Sequence, residues 1–269
     1  MIHLRGRIHN YLRAIRTLAR GGATAGSIAL FPVRRRLRRP RNQITLRNGA
    51  TLTSPADEPL LSLFEEIWVN RCYAPEDLPA AAGGTIVDIG GHVGVFAIWA
   101  ASRYPRARIV ALEPCSLMCR ALEENVAASR LSNVSVIHAA CGGRSGEAVL
   151  YSRGVHAMNS LYSHDNYGSV FRPVERANLM TLDDVFRRFA VDRCPLLKLD
   201  CEGAEYEILF GASEETLARI DRIAMEYHVG LTEHAPEALG RFLSEWGFAV
   251  QRSPLLDEDG GYLHATRRR

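Results

Sequence analysis

Four acids follow a run of leucines in LLKLDCEGAEYEIL, residues 196–209: Asp200, Glu202, Glu205 and Glu207. The apolar half reads as a buried strand, so Asp200 falls at its carboxyl end and the later acids where a helix opens. A second polar pair, Glu226 and His228, closes the apolar run RIAMEYHV, 222–229. Carboxylates and an imidazole at the ends of two such strands can take a proton from a hydroxyl. Oxygen-rich groups also suit a hard divalent cation, which makes Asp200 and Glu226 the candidate metal ligands. Lys198 shares parity with Asp200 and projects to the same side of the strand. It is the single lysine among 33 lysines and arginines, which marks a place that needs a compact ammonium rather than a planar fork. A buried lysine must be paired, and Asp200 or Glu202 is within its reach. The expected roles are proton removal by Asp200 or His228 and orientation by Glu226. Lys198 supports Asp200, and Glu202 caps the helix or touches substrate. Glu207 is expected only to favour the helix dipole; for Glu205 that role and a site role both stand.

A second constellation lies upstream. VDIGGHVG, residues 87–94, follows an apolar strand and opens a helix. Gly90 permits a tight turn and Gly94 a close approach of helix to strand or ligand. Gly91 completes the turn, and His92 is expected to line it. Asp88 precedes the turn, where an exposed carboxylate could hold the ammonium of a zwitterionic ligand. Glu113 stands 25 residues later at the end of the next strand, just before Pro114. There it can accept hydrogen bonds from both hydroxyls of a ribose. An acid beside the turn is ill suited to a pyrophosphate, so the pair favours S-adenosylmethionine over a dinucleotide. Ala140 ends a third strand and is a neighbour for the adenine through its backbone.

These residues need a frame that brings strand ends together. From Thr85 onward apolar strands alternate with helical patterns: 85–90, 108–114, 134–140, 196–201 and 222–229 as strands, with helices behind them. Such alternation predicts an α/β fold, a doubly wound and mostly parallel sheet covered on both faces. FAVQRS and GYLHATRR add an antiparallel C-terminal hairpin, giving seven strands. In these sheets ligands bind beyond the carboxyl ends of the strands. Asp88, Glu113, Ala140, Asp200 and Glu226 are therefore expected along one rim. Before the sheet, residues 42–54 read as a hairpin around Asn48-Gly49 and residues 59–73 as an amphipathic helix. The stretch 151–169 reads as a long polar loop on the ligand side, where Asn159 and Ser160 could meet substrate.

Charge is distributed unevenly. Residues 1–41 hold eleven arginines and no acid against a chain total of +3, which leaves −8 for the rest. Leu4, Ile8, Tyr11, Leu12, Ile15 and Leu18 recur at helical spacing among those arginines. Such a segment could lie on an anionic membrane surface. A patch for an acidic partner, a solvated tail and packing on its own domain are the alternatives. Nucleic acid is not expected, because the body is acidic and no aromatic interrupts the arginine run 33–41. No apolar run approaches the ~20 residues that span a bilayer. The irregular spacing of the six cysteines argues against zinc or a disulfide framework. The expected location is the cytoplasm, with peripheral attachment at the inner membrane face as an extension. The organisation is a basic arm (1–41), a lead-in of hairpin and helix (42–80) and a ligand-binding domain (81–269).

VDIGGHVGVFA, ALEP with LEENVAAS, AACGGRSGEAVLY, MTLDD and above all LLKLDCEGAEYEIL followed by MEYH resemble the FkbM family of S-adenosylmethionine-dependent methyltransferases. The likeness runs from about Asn42 to Leu209 and more loosely to the C-terminus. One departure is visible: the family usually reads glycine-alanine-asparagine where this chain has Gly90-Gly91-His92. The resemblance implies a Rossmann-like methyltransferase fold and O-methylation of sugars, glycolipids or polyketide-type natural products. The rival readings are a nicotinamide-dependent oxidoreductase, which Glu113 would also suit, and a noncatalytic cofactor-binding scaffold held at membranes by the basic arm.

Overall fold

The structure is a computed structural model that describes residues 12–36, 40–74, 78, 83–152, 154, 159–253 and 260–268. The helical pattern over 2–11, residues 37–39 of the arginine run, part of the 151–169 loop and the turn at Asp259 lie outside the described residues.

Two helices open the described chain, α1 over 12–20 and α2 (Ala25–Arg36). The expected hairpin follows as β1 (Arg41–Thr45) and β2 (Thr51–Pro55), then a short helix α3 (Leu60–Phe64) that runs into a π-turn, Glu65–Val69. A π-turn widens the helix by one residue and is often found at functional sites. This lead-in is built into the main core. Leu18, Phe31, Ile44, Leu52 and Phe64 are buried in one cluster with Phe96, Ile98 and Ala100. Each such large apolar side chain contributes about 1.5–3 kcal/mol.

The central sheet alternates with helices: β3 (Thr85–Ile89), α4 (Val95–Arg103), β4 (Arg108–Leu112), α5 (Ser116–Ala128) and β5 (Val134–Ile137). A smaller sheet intervenes, built from β6 (Ala140–Cys141), β7 (Gly146–Ser152), β8 (Asn159–Ser160) and β9 (Arg172–Met180). After α6 (Leu182–Arg188) come β10 (Leu197–Leu199), α7 (Glu205–Phe210), α8 (Glu214–Ala218), β11 (Arg222–His228), α9 (Pro236–Glu245), β12 (Phe248–Arg252) and β13 (Gly260–Arg267).

The large sheet has seven strands in the order β12-β13-β11-β10-β3-β4-β5. Strands β3, β4, β5, β10 and β11 run parallel, and β13 is antiparallel to both neighbours. The direction of winding reverses between β3 and β10, so the strand ends beside that seam open a crevice. Two expectations change. The segment 134–140 is not one strand: it leaves the large sheet after Ile137, and Ala140 begins the smaller sheet instead. The stretch after it is also more regular than expected, because β7, β8 and β9 pair there.

Candidate active site

The glycine turn is fixed by backbone contacts. Gly90 has φ 80°, and a Cβ there would lie 1.8 Å from the carbonyl oxygen of Asp200. The N–H groups of Gly90 and Gly91 both donate to the Leu112 carbonyl, at 3.0 and 2.8 Å. Gly94, at φ 87°, lets the opening of α4 pack on Leu122. His92 also adopts a positive φ, 48°, and its N–H donates to Glu113 Oε2 at 2.7 Å. The Cys115 N–H donates to the other oxygen of Glu113 at 2.8 Å. The Glu113 carboxylate is thus aimed by two backbone donors, and it retains lone pairs on both oxygens. His92 does not hang free: its Nε2 lies 2.9 Å from Oε2 of the buried Glu58, a lead-in residue.

Lys198 sits opposite Asp88 in the β10–β3 register. Its Nζ is 3.1 Å from Asp88 Oδ1 and 3.6 Å from Asp200 Oδ2. It also donates to the carbonyl oxygens of Gly90 at 2.6 Å and Ile89 at 3.3 Å. Burial favours the neutral amine, but the two facing carboxylates outweigh it and push Lys198 above its usual value. The ammonium therefore clamps the glycine turn to the end of β10. This corrects the expectation for Asp88. Its side chain is wholly buried and faces Lys198, so it is not an exposed carboxylate awaiting a ligand's ammonium.

A second clamp holds the acid-rich turn. Glu205 is fully buried and accepts from the N–H groups of Cys201 at 2.7 Å and Gly203 at 3.0 Å. Its Oε1 lies 3.1 Å from His228 Nδ1. His228 Nε2 is 3.7 Å from Glu202 and 4.0 Å from Glu226. Burial alone would lower the imidazole, but these acids, Glu205 first, raise it well above the usual histidine value. The Glu205 carboxylate, with Glu202 and Glu226 beyond it, thus holds His228 toward its charged form, which disfavours the imidazole as a proton acceptor. Glu207 is exposed, as its expected dipole role allows.

Around Asp200 the charge is not balanced. The Tyr73 hydroxyl lies 3.0 Å from Asp200 Oδ2 and 3.2 Å from Glu226 Oε2. Burial, then the charge of Asp200, push Glu226 up to about 8 and Glu66 up to about 7. Burial likewise raises Glu202 to about 7 against the pull of His228. The cation expected between Asp200 and Glu226 meets the Tyr73 hydroxyl in that gap. Among the described residues no group of three or more His, Cys, Asp or Glu side chains is arranged to hold a metal ion.

A cleft opens over these elements, lined by Gly90, His92, Glu113, Pro114, Ala140, Asp200 and Glu202. Leu63, Ile89, Leu150 and Leu161 supply apolar walls, and Asn159 lies at its edge. An oriented carboxylate for ribose hydroxyls, apolar walls for a base and an unpartnered buried nitrogen, His92 Nδ1, fit an adenosyl ligand. Glu113 and Asp200 thus share one cavity, which Asp88 does not line. Ser160 plays another part: its hydroxyl donates to the Glu202 carbonyl at 2.6 Å and steadies the acid turn. Reading the sequence missed Glu58, Glu66 and Tyr73. Glu66 had one signal, as a polar residue on a helix otherwise read as packing; Glu58 and Tyr73 had none.

A seven-stranded sheet with this order and a ligand cleft at the β3–β4–β10 ends defines a Rossmann-like methyltransferase. The family model described as "Methyltransferase FkbM domain" matches residues 88–250, more than half of the sequence. The chain belongs to the FkbM family of S-adenosylmethionine-dependent methyltransferases. Among curated relatives, AMB antimetabolite synthetase AmbE of Pseudomonas aeruginosa is 27% identical over 70% of this chain, which spans only 10% of AmbE. The 31-O-demethyl-FK506 methyltransferase FkbM of Streptomyces tacrolimicus is 24% identical, with 69% of this chain and 81% of that protein covered. The crystal structure of methyltransferase FkbM from Methylobacillus flagellatus superposes with a TM-score of 0.50 at 13% identity, covering 95% of this chain and 59% of that one. That likeness is one of fold. The protein is an enzyme, and the family match sets aside the oxidoreductase and scaffold readings.

Proposed function

We propose that this protein methylates a hydroxyl on a small-molecule or glycan acceptor, with Asp200 as the base. The observation that carries the reading is the state of Asp200: it lines the cleft shared with Glu113 while Tyr73 and Lys198 engage only its Oδ2. S-adenosylmethionine, when bound, supplies an electrophilic methyl group on a sulfonium. Glu113 would hold the ribose, the Gly90–His92 turn the methionine portion, and Ala140 with Pro114 the adenine side. Asp200 Oδ1 accepts the hydrogen of the acceptor hydroxyl and keeps the proton as that oxygen bonds to carbon. Glu202, on the same wall, orients the acceptor. The relative named for a 31-O-demethyl substrate supports oxygen as the atom methylated. No step runs through a divalent cation, because a phenol fills the gap where one was expected.

Titration calorimetry with S-adenosylhomocysteine tests the cofactor half. Mass spectrometry of hydroxylated acceptors incubated with enzyme and S-adenosylmethionine tests the other. Transfer to nitrogen rather than oxygen would overturn the proposal.

A second observation favours membrane attachment. Helix α1 buries Ala14, Thr17 and Leu18 against the body but exposes Leu12, Arg13, Arg16 and Arg20, and α2 exposes Leu30. No described helix is long and apolar enough to cross a membrane. We infer that this basic face rests on anionic lipid at the inner membrane surface of the cytoplasm. Flotation with phosphatidylglycerol vesicles should carry the protein up, and neutral phosphatidylcholine vesicles should not. Equal behaviour on both would refute the attachment.

A further inference from the structure

We infer that Tyr73 is a positioning residue for the base: its hydroxyl bridges Asp200 and Glu226, donating to Asp200 and accepting from a protonated Glu226. The inference rests on the reading of Asp200 given above, and Tyr73 lies outside the stretch matched to the family, 88–250.

Tyr73 follows the π-turn and is almost wholly buried, at 3% exposure. Its ring is held edge-on by Phe96 and Tyr262, with centroids 5.9 and 5.7 Å away. The Lys198 ammonium lies 5.3 Å from the ring centre. Apolar contacts thus fix the ring, and the hydroxyl has little choice of direction. It reaches Asp200 Oδ2 and Glu226 Oε2 together.

A phenol carries one hydrogen. If it donates to one carboxylate, the other must face a phenol lone pair. Two bare negative oxygens within reach of one donor repel each other. The arrangement is satisfied when Glu226 carries a proton and donates it to the phenol oxygen, while the phenol donates to Asp200.

The surroundings decide which carboxyl keeps the proton. Asp200 faces Lys198 at 3.6 Å. The cation facing Glu226 is His228 at 4.0 Å, which Glu205 already engages at 3.1 Å. Glu66 from the π-turn acts on both carboxyls, and Glu202 on Glu226 from the β10 side. Asp88 acts on Asp200 across Lys198. Cys72 beside Tyr73 is pushed up by burial and by these acids, so it adds no charge at neutral pH. Burial holds the Tyr73 phenol well above its usual value, which keeps it a donor. Glu226, raised to about 8, is the protonated partner at neutral pH.

The test is a carboxyl ¹³C NMR titration of the full chain without cofactor or acceptor, with Glu226→Gln identifying the Glu226 resonance. Tyr73→Phe keeps the ring and its packing but removes the hydrogen. The phenol oxygen that accepts from Glu226 favours its protonated form, so loss of that oxygen should move the Glu226 midpoint down by about half a unit or more. In the methyl-transfer assay Tyr73→Phe should lower kcat roughly 10–100-fold through misplacement of the base, with KM for S-adenosylmethionine unchanged. An unmoved or raised Glu226 midpoint in Tyr73→Phe would overturn the inference, as would unchanged kcat. The titration needs no substrate, so it stands or falls separately from the methyltransferase reading, which fails instead if the wild-type chain moves no methyl group.

Discussion

The two sides of Asp200 are built from the same residue types to opposite effect. Toward β3 and α7, buried acids meet buried cations: Asp88 faces Lys198, and Glu205 faces His228. Toward the cleft and the lead-in, Asp200, Glu226 and Glu66 gather near one phenol. In the first region the ions also hold backbone: Lys198 holds the Gly90 carbonyl, and Glu205 the N–H groups of Cys201 and Gly203. In the second they push each other's protons upward. Paired charge builds the turns, and the excess of acid beside them is where a proton can be moved.

The sharpest way to break this contrast is at its centre. Asp200→Asn should cut methyl transfer by roughly 10²–10⁴-fold, the usual contribution of a general base. Its affinity for S-adenosylhomocysteine should be retained in calorimetry. A variant that keeps its turnover would remove Asp200 from the chemistry. Next in size is Lys198→Met, which leaves Asp88 buried opposite a thioether. It should cost about 3–5 kcal/mol in urea unfolding, the penalty of one orphaned buried charge. A loss under about 1 kcal/mol would mean that the balanced side is not what holds the turn.

The unbalanced side makes a prediction about pH. Glu226 at about 8, with Glu66 and Glu202 at about 7, bind protons in the folded chain that an unfolded chain releases near 4.5. A raised carboxyl contributes fully below its unfolded value, and the contribution is lost as pH climbs toward the folded value. Melting temperature should therefore fall between about pH 5 and 8, by roughly 2–4 °C for each kcal/mol in a chain of this size. Glu226→Gln should flatten that fall and melt higher than wild type at pH 8.5. A flat wild-type profile would show that the acids do not repel. The smallest effect belongs to Glu207→Ala: this exposed acid on α7 pairs with neither buried cation, and its loss should shift stability by no more than about 0.5 kcal/mol.

Much of the frame was legible along the chain. The apolar runs at 85–89, 108–112, 197–199 and 222–228 and the glycine turn between them are short-range signals. The smaller sheet was not legible: β9 alternates burial only over its last residues and carries exposed Arg172, Val174 and Arg176, a pattern that reads as loop. Within the site, Glu113, Asp200 and Glu202 were visible because each follows an apolar strand directly. Asp88 looked the same, yet its fate depended on which strand became its neighbour. Tyr73 and Glu58 carried no local mark, since their partners lie 127 and 34 residues away.

The sequence by itself determined the alternation of strand and helix, the need for Gly90 at its turn and the family, because periodicity and φ preference act within a few residues. The tertiary structure alone decided which acids are matched by cations. Pairing of β3 with β10 sets Lys198 against Asp88, and the folding of the lead-in over β10 and β11 delivers a phenol to Asp200 and Glu226. Electrostatic roles depend on distance through space and on exclusion of water, and neither is written in the spacing of residues along a chain.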